Sequence, residues 1–249
     1  MGGIVNQNTP PRGLTLAKAA ARVVAEDPRF AVTRATVHGI DLPVFAVAPA
    51  NLRHYLVAAR PAHGDGAAPY LTMGEQTWTY DAFLADVRAC AAGLAARGIR
   101  PGDRVGLAMA NRPEMLIGFM GIVSLGAVAT FLNGWWTTTE MEFALGDSGA
   151  VLTLADPKRA ARLAPIGAPV VTTDAWDSFL QPTDTWPENV IAPDDDFAVM
   201  YSSGSTGTPK GVVLTHRGAV NAVWTWLMSV IYGPMMLPPG DPAPDPGPP

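Results

Sequence analysis

Seven consecutive residues, Ser202 to Thr208, are all serine, threonine or glycine, and Pro209-Lys210-Gly211 follows them. That run can bind an anion. Glycines open positive φ and let backbone N–H groups approach a ligand with no Cβ in the way. Successive N–H groups in such a turn make a concave anion site. The hydroxyls of Ser202, Ser203, Ser205 and Thr206 add donors that rotate to fit phosphate oxygens, and Lys210 adds a point charge suited to phosphate. A plain Gly/Ser linker would not be bracketed by apolar strands, Phe197 to Tyr201 before it and Val212 to Thr215 after it. The loop is not a Walker A sequence, because Pro209 precedes Lys210 and Gly211 follows it, and it lacks the Gly-x-Gly-x-x-Gly spacing of dinucleotide folds.

Other chemically capable residues point to bland roles. His38, His54, His63 and His216 are scattered, with no acid at ligand or catalytic spacing, although His216 closes the strand after the loop. Cys90 is the only cysteine, which excludes an intrachain disulfide, a Cys-based zinc site and a CxxC redox centre. It falls on the small-residue face of a helical pattern and is expected in the core. Asp194-Asp195-Asp196 reads as a solvated acidic cluster, no other ligand type being near. Trp135-Trp136 is expected to pack, with the lining of an acyl tunnel as the alternative. Lys210 stays protonated unless buried, so the loop positions phosphate and does no acid–base work. No catalytic residue and no metal ligand is assigned.

The elements that hold this loop follow a strand–helix rhythm. The chain has 249 residues, 48% hydrophobic and 16% charged, which suits a folded core rather than disorder. A net charge of -5 argues against nucleic acid as a partner. The N-terminus lacks a signal-peptide pattern, which sets a cytoplasmic expectation. Met115 to Leu132 is uncharged over eighteen residues, but its glycines and β-branched second half predict a buried helix, a turn at Gly126 and a strand rather than a membrane span. A helix is expected over 15–27, an extended segment over 30–40, and a short helix capped by Asn51. A hairpin at 70–79 and a long helix capped by Thr79 and stopped at Gly98 follow. Then come a strand over 104–109, a helix capped by Asn111, a strand over 127–132 and a helix opened by a Thr139/Glu142 capping box. A strand over 151–155, a helix over 157–163 and a strand over 169–173 complete the series. Residues 174–196 read as a surface linker, and a helix over 216–232 has Val220, Trp224, Leu227, Met228 and Ile231 on one face. The fold class is α/β, mostly parallel sheet flanked by helices, with ligands expected at the carboxyl ends of strands.

Tyr201 to Val212, Tyr-Ser-Ser-Gly-Ser-Thr-Gly-Thr-Pro-Lys-Gly-Val, resembles the signature loop of the AMP-forming adenylating enzymes, the superfamily of acyl- and aryl-CoA synthetases, luciferases and peptide adenylation domains. The likeness extends to Trp78-Thr79-Tyr80, Pro101-Gly102-Asp103-Arg104-Val105, Gly126-Ala127-Val128 and Asp147-Ser148-Gly149-Ala150. The Leu132 to Thr137 run is most similar to fatty acyl-CoA synthetases. Roughly residues 50 to 230 fit.

The resemblance implies a two-step ligase. A small-molecule carboxylate such as a fatty acid attacks the α-phosphorus of ATP with Mg2+ present, and the coenzyme A thiol then displaces AMP. By motif position, Ser202, Ser203, Gly204, Ser205, Thr206, Gly207 and Lys210 would hold the ATP phosphates. The family's later motifs have no match: the Tyr-Gly-x-Thr-Glu segment, the Thr-Gly-Asp ribose contact and the late catalytic lysine. The chain is therefore expected to be an incomplete, N-terminal part of the family's large domain, inactive alone and open to a complementing C-terminal fragment. A non-catalytic remnant that binds nucleotide phosphate or a partner subunit is the alternative. The expected division is an N-terminal extension over 1–50, a partial AMP-binding domain over 51–232, and a disordered tail over 233–249. That tail carries eight prolines in its last sixteen residues, and without further chain the Trp224 face is expected to lack part of its packing partner.

Overall fold

The structure is a computed structural model that describes residues 12–64, 66–202 and 209–239. The chain forms two compact units, residues 1–48 with 220–249, and residues 49–219. The first begins with helix α1 (Leu16–Glu26), a 3-10 turn (Pro28–Phe30), and strands β1 (Val32–Val37) and β2 (Ile40–Phe45). The two strands pair antiparallel, with Val37 opposite Ile40. The single extended segment expected over 30–40 is thus corrected to a hairpin. Its two-residue turn, His38 and Gly39, takes φ of 49° and 80°. Both positive values suit a strand-matched tight turn, and a histidine in place of the usual Asn or Asp hid the signal.

The second unit opens with α2 (Leu52–Ala59), capped as expected by Asn51, whose side chain accepts from the His54 N–H at 2.9 Å. Strands β3 (Pro69–Met73) and β4 (Gln76–Thr79) form a hairpin, and α3 (Tyr80–Ala96) follows with Thr79 as cap. Then come β5 (Arg104–Ala108), α4 (Pro113–Ser124), β6 (Val128–Phe131), α5 (Thr138–Ser148), β7 (Leu152–Ala155), α6 (Pro157–Leu163), β8 (Val170–Thr172) and α7 (Trp176–Phe179). The last elements are β9 (Asp196–Ser202), β10 (Lys210–Thr215) and α8 (His216–Met236). Two expected caps move. Helix α4 starts from Arg112 with Pro113 in its first turn, where the missing proline N–H costs nothing, so Asn111 is not its cap. The capping box of α5 is Thr137 with Glu140, two residues earlier than Thr139 with Glu142.

Strands β5 to β10 make one sheet in the order β10-β9-β6-β5-β7-β8, parallel throughout except for the antiparallel β9–β10 pair. From β5 the chain crosses to β6 on one side and then back past β5 to β7. Helices α4 and α5 therefore cover opposite faces. A Cβ on Gly106 of β5 would meet Leu145 of α5 at 3.1 Å, whereas a Cβ on Gly118 of α4 would meet the neighbouring Leu107 at 3.5 Å. The reversal puts a crevice at the carboxyl ends of β5 and β7. Cys90 is fully buried where α3 meets α4, as expected. Among the described residues no helix is long and apolar enough to cross a membrane. The segment expected to be a surface linker, 174–196, instead contains α7, and its Trp176 and Phe179, three residues apart on one turn, are both buried.

In the first unit, Ala19, Val23 and Phe30 pack with Met228 and Met235 of α8. Trp224 joins this cluster and donates its indole N–H to the Arg29 carbonyl at 2.9 Å. Its face is thus partnered in part by α1, with Trp224, Leu227 and Ile231 half-buried. Helix α8 also runs through Pro234 to Met236, four residues past the expected end at Tyr232. Leu14 N–H donates to the Met235 carbonyl and Gly13 N–H to the Leu237 carbonyl. The start of the expected tail is therefore helix, and Met235 is buried. Residues 240–249 lie outside the described residues.

Candidate phosphate-binding hairpin at the carboxyl edge of the sheet

The Ser/Thr/Gly loop joins the two strands of an antiparallel hairpin. Ser202 ends β9, Lys210 begins β10, and the two are register partners at the root of the loop. Directly opposed residues share a face at about 5 Å between Cβ atoms, so the two side chains leave the same face of the hairpin. Both are exposed. Ser203, Gly204, Ser205, Thr206 and Gly207 lie outside the described residues. Strand β9 runs parallel to β6, with Met200 beside Phe131. The loop therefore leaves the carboxyl edge of the sheet next to the β6 exit.

That edge is held by a network which sequence reading did not find. The Asp156 carboxylate caps α6 through the Arg159 N–H at 2.9 Å and accepts the Ala110 N–H at 2.9 Å, tying the exit of β7 to that of β5. Burial pushes its pKa up, but those backbone donors and the Arg159 guanidinium outweigh the burial and hold it below the ordinary range. Arg159 and Arg162 both donate to the Gly134 carbonyl, at 3.2 and 2.9 Å, and Arg162 also reaches the Trp136 carbonyl at 2.9 Å. The β6 exit loop is thereby fixed by two arginines of α6. The one sequence signal was the Asp156-Pro157 pair opening a helix.

Trp136 and Tyr201 link this network to the hairpin. Their rings meet at 5.8 Å and 70°. The Tyr201 hydroxyl lies 2.7 Å from Asp147 Oδ2 and 3.1 Å from the Ala144 carbonyl, both on α5. Burial, then the Asp147 carboxylate, pushes the phenol up to about 12, so it stays a neutral donor. Trp136 packs, as expected, while Trp135 is 84% exposed and lines no tunnel among the described residues. Tyr201 and Ser202 are successive in the strand and project to opposite faces. A cleft of about 640 Å3 lies on the Tyr201 face, lined by Arg104, Val128, Asp147, Val199 and Val213 among others. It is therefore not the space that Ser202 and Lys210 address.

The acidic cluster is structural. Asp194 forms a bidentate pair with Arg217 at 2.6 and 2.8 Å, and Asp195 accepts the Ala192 N–H. Among the described residues no group of three His, Cys, Asp or Glu could hold a metal. The donor set at the hairpin root, a hydroxyl and an ammonium, fits phosphate oxygens and offers no carboxylate to a metal ion.

The AMP-binding enzyme family matches residues 58–239. 4-Coumarate–CoA ligase 3 of Oryza sativa subsp. japonica is 34% identical over 171 residues, covering 64% of this chain and 31% of that protein. The long-chain-fatty-acid–CoA ligase FadD13 of Mycobacterium tuberculosis is 35% identical over 162 residues, covering 61% and 32%. The chain thus spans about a third of the length of the curated relatives it matches. Among solved structures, the inhibitor-bound N-terminal domain of FACL13 from Mycobacterium tuberculosis superposes with a TM-score of 0.66 at 28% identity, over 75% of this chain and 55% of that one. The anthranilate CoA ligase AuaEII in complex with anthranoyl-AMP gives a TM-score of 0.62 at 25% identity, over 67% and 34%.

Proposed function

Because this chain belongs to the AMP-binding enzyme family, we propose that it is the N-terminal portion of an ATP-dependent acyl-CoA synthetase and that its β9–β10 hairpin receives the phosphates of ATP. The observation that carries the reading is the pairing of Ser202 with Lys210 at the root of the Ser/Thr/Gly loop, on the sheet edge where doubly wound folds bind ligands. Two named relatives, a coumarate ligase and a fatty-acid ligase, are 34% and 35% identical, so likeness selects a small carboxylic acid but not its type.

In the proposed reaction the substrate carboxylate attacks the α-phosphorus of ATP and pyrophosphate leaves. The thiol of coenzyme A then displaces AMP and forms the thioester. Negative charge builds on the departing pyrophosphate, and preorganised donors lower the barrier by meeting that charge. Lys210 supplies a fixed positive charge, and the Ser202 hydroxyl supplies a neutral donor beside it. The loop from Ser203 to Gly207 supplies backbone N–H groups and further hydroxyls. Mg2+, brought with ATP, would supply further charge neutralisation. Nothing in the hairpin needs to take up a proton.

For these 249 residues by themselves the proposed property is binding of the ATP phosphates without turnover. The test is titration calorimetry with MgATP and with pyrophosphate on wild type and Lys210→Ala, beside carboxylate-dependent ATP–pyrophosphate exchange. Binding that is lost in Lys210→Ala supports the reading. Equal affinity in the two proteins would refute the loop assignment, and exchange activity would refute inactivity of the chain alone.

A further inference from the structure

His216 is the first residue after β10 and is fully buried. Its Nδ1 accepts the backbone N–H of Leu52 at 3.2 Å. Leu52 is the first residue of α2, so the imidazole satisfies one of the unpaired N–H groups that open a helix. Only a ring with a bare Nδ1 can do this, which fixes the proton on Nε2. That Nε2–H is itself buried, and no partner for it is present among the described residues. The ring packs at 5.7 Å against Phe197, near the start of β9. One side chain therefore touches both strands' roots and the helix behind them, at the end of the hairpin opposite the Ser202–Lys210 pair.

We propose that His216 is a positioning residue for the phosphate hairpin: as a neutral acceptor it latches the root of β10 to the N-terminus of α2, and protonation opens the latch. A second proton would sit on Nδ1, face the Leu52 N–H donor to donor, and place a charge at the positive end of α2. The charged groups around the ring are few. Arg53 on α2 opposes protonation, and Asp195, in the turn before β9, favours it. Strand β9 presents the Phe197 ring, and Arg217, next on α8, is already paired with Asp194. Other contacts of the root survive protonation, among them the His216 N–H to the Asp195 carbonyl at 3.0 Å. The released state is thus a loosened hairpin rather than an unfolded chain.

The latch rests on the phosphate-loop reading only for its effect on ATP, so the test measures the two separately. Amide hydrogen exchange of residues 197–202 and 210–215, corrected for intrinsic rates, is followed from pH 7.5 to 4.0 in wild type and His216→Asn, with far-UV circular dichroism as the check on folding. Asparagine keeps an acceptor near Nδ1 and cannot titrate. The expected result is a loss of protection of at least tenfold in wild type on acidification, and a flat profile in His216→Asn. MgATP affinity, which falls in both proteins as the terminal phosphate takes up a proton, should fall further in wild type than in His216→Asn. Equal profiles in the two proteins would overturn the latch, as would unchanged protection in wild type down to pH 4.0. Should neither protein bind MgATP while the exchange profiles differ as stated, the latch stands and the phosphate reading fails.

Discussion

Replacing Arg53 with methionine should cost the chain about 3–4 kcal/mol. Arg53 is 9% exposed, and among the described residues it makes no ion pair. Its guanidinium is held by neutral oxygens alone: Ser124 O at 3.0 Å, Pro187 O at 2.9 Å, Asn189 Oδ1 at 3.2 Å and Asn189 O at 2.8 Å. Ser124 is the last residue of α4, so the cation also meets the negative end of that helix. Burial lowers the arginine's pKa without an opposing acid, yet an arginine remains charged. A hydrogen bond to a charged group contributes about 1.5–3 kcal/mol, and several that share one donor fork add incompletely. Methionine keeps the apolar stem but strands three carbonyls, which gives the stated loss. With an m-value of about 2 kcal/mol per M, the urea midpoint should drop by roughly 1.5 M. Arg53→Lys keeps the charge but not the fork and should lose about half as much. A midpoint for Arg53→Met within about 0.3 M of wild type would show that the guanidinium cluster contributes little and that this reasoning about a buried unpaired cation is wrong.

Four further outcomes are expected. Lys210→Ala should weaken MgATP binding by roughly 10–100-fold, the loss of one charge-assisted contact, read by calorimetry. Gly121→Ala puts a Cβ 2.5 Å from Cys90 Sγ and 2.8 Å from Cys90 Cβ, so it should destabilise by about 1–2 kcal/mol after its gain in helix propensity, and Cys90→Gly should rescue it in a double-mutant cycle. Tyr201→Phe removes the tie to Asp147 and Ala144 and should cost about 1 kcal/mol in urea unfolding, the loss being modest because Asp147 reaches water. Stability should also fall with acid. Burial depresses the His216 pKa from 6.5 to about 4, so the unfolded chain takes up a proton that the folded one refuses. The contribution is whole above pH 6.5, falls progressively as the pH drops to 4, and amounts to about 3 kcal/mol. Urea midpoints measured across that window should slope in wild type and flatten in His216→Asn.

Much of the second unit was legible in the sequence because its elements are punctuated locally. Asn51 and Thr79 cap where expected, Gly98 and Gly126 turn with φ of 83° and 75°, and Pro157 opens α6. The strand–helix alternation from Arg104 onward was enough for a mostly parallel α/β sheet. The loop at Ser202 stood out by composition. Its scaffold did not, because Arg159 reaches Gly134, and Tyr201 reaches Trp136 and Asp147, only through pairing of strands far apart in the chain. Local patterns misled where two answers fitted: Thr137/Glu140 and Thr139/Glu142 are both capping boxes on paper, and only packing of the α5 face chooses. His216 read as an indifferent histidine, since its partner Leu52 lies 164 residues earlier. Helix α8 was ended too soon because a proline inside a helix is normally a stop.

That proline-containing helix end has a consequence for synthesis. The carbonyls of Met235 and Leu237 are met by Leu14 and Gly13, so the first described residues of the chain are completed by nearly the last. A ribosome adding about 5–20 residues per second takes on the order of 10–40 s to travel that far. Throughout that time α1, with Ala19, Val23 and Phe30, has been made without the methionines of α8 that cover it. The intervening unit carries its own sheet and can form first. The N-terminal hairpin and helix are therefore the part of this chain that a chaperone, or a nascent-chain protease, should encounter longest.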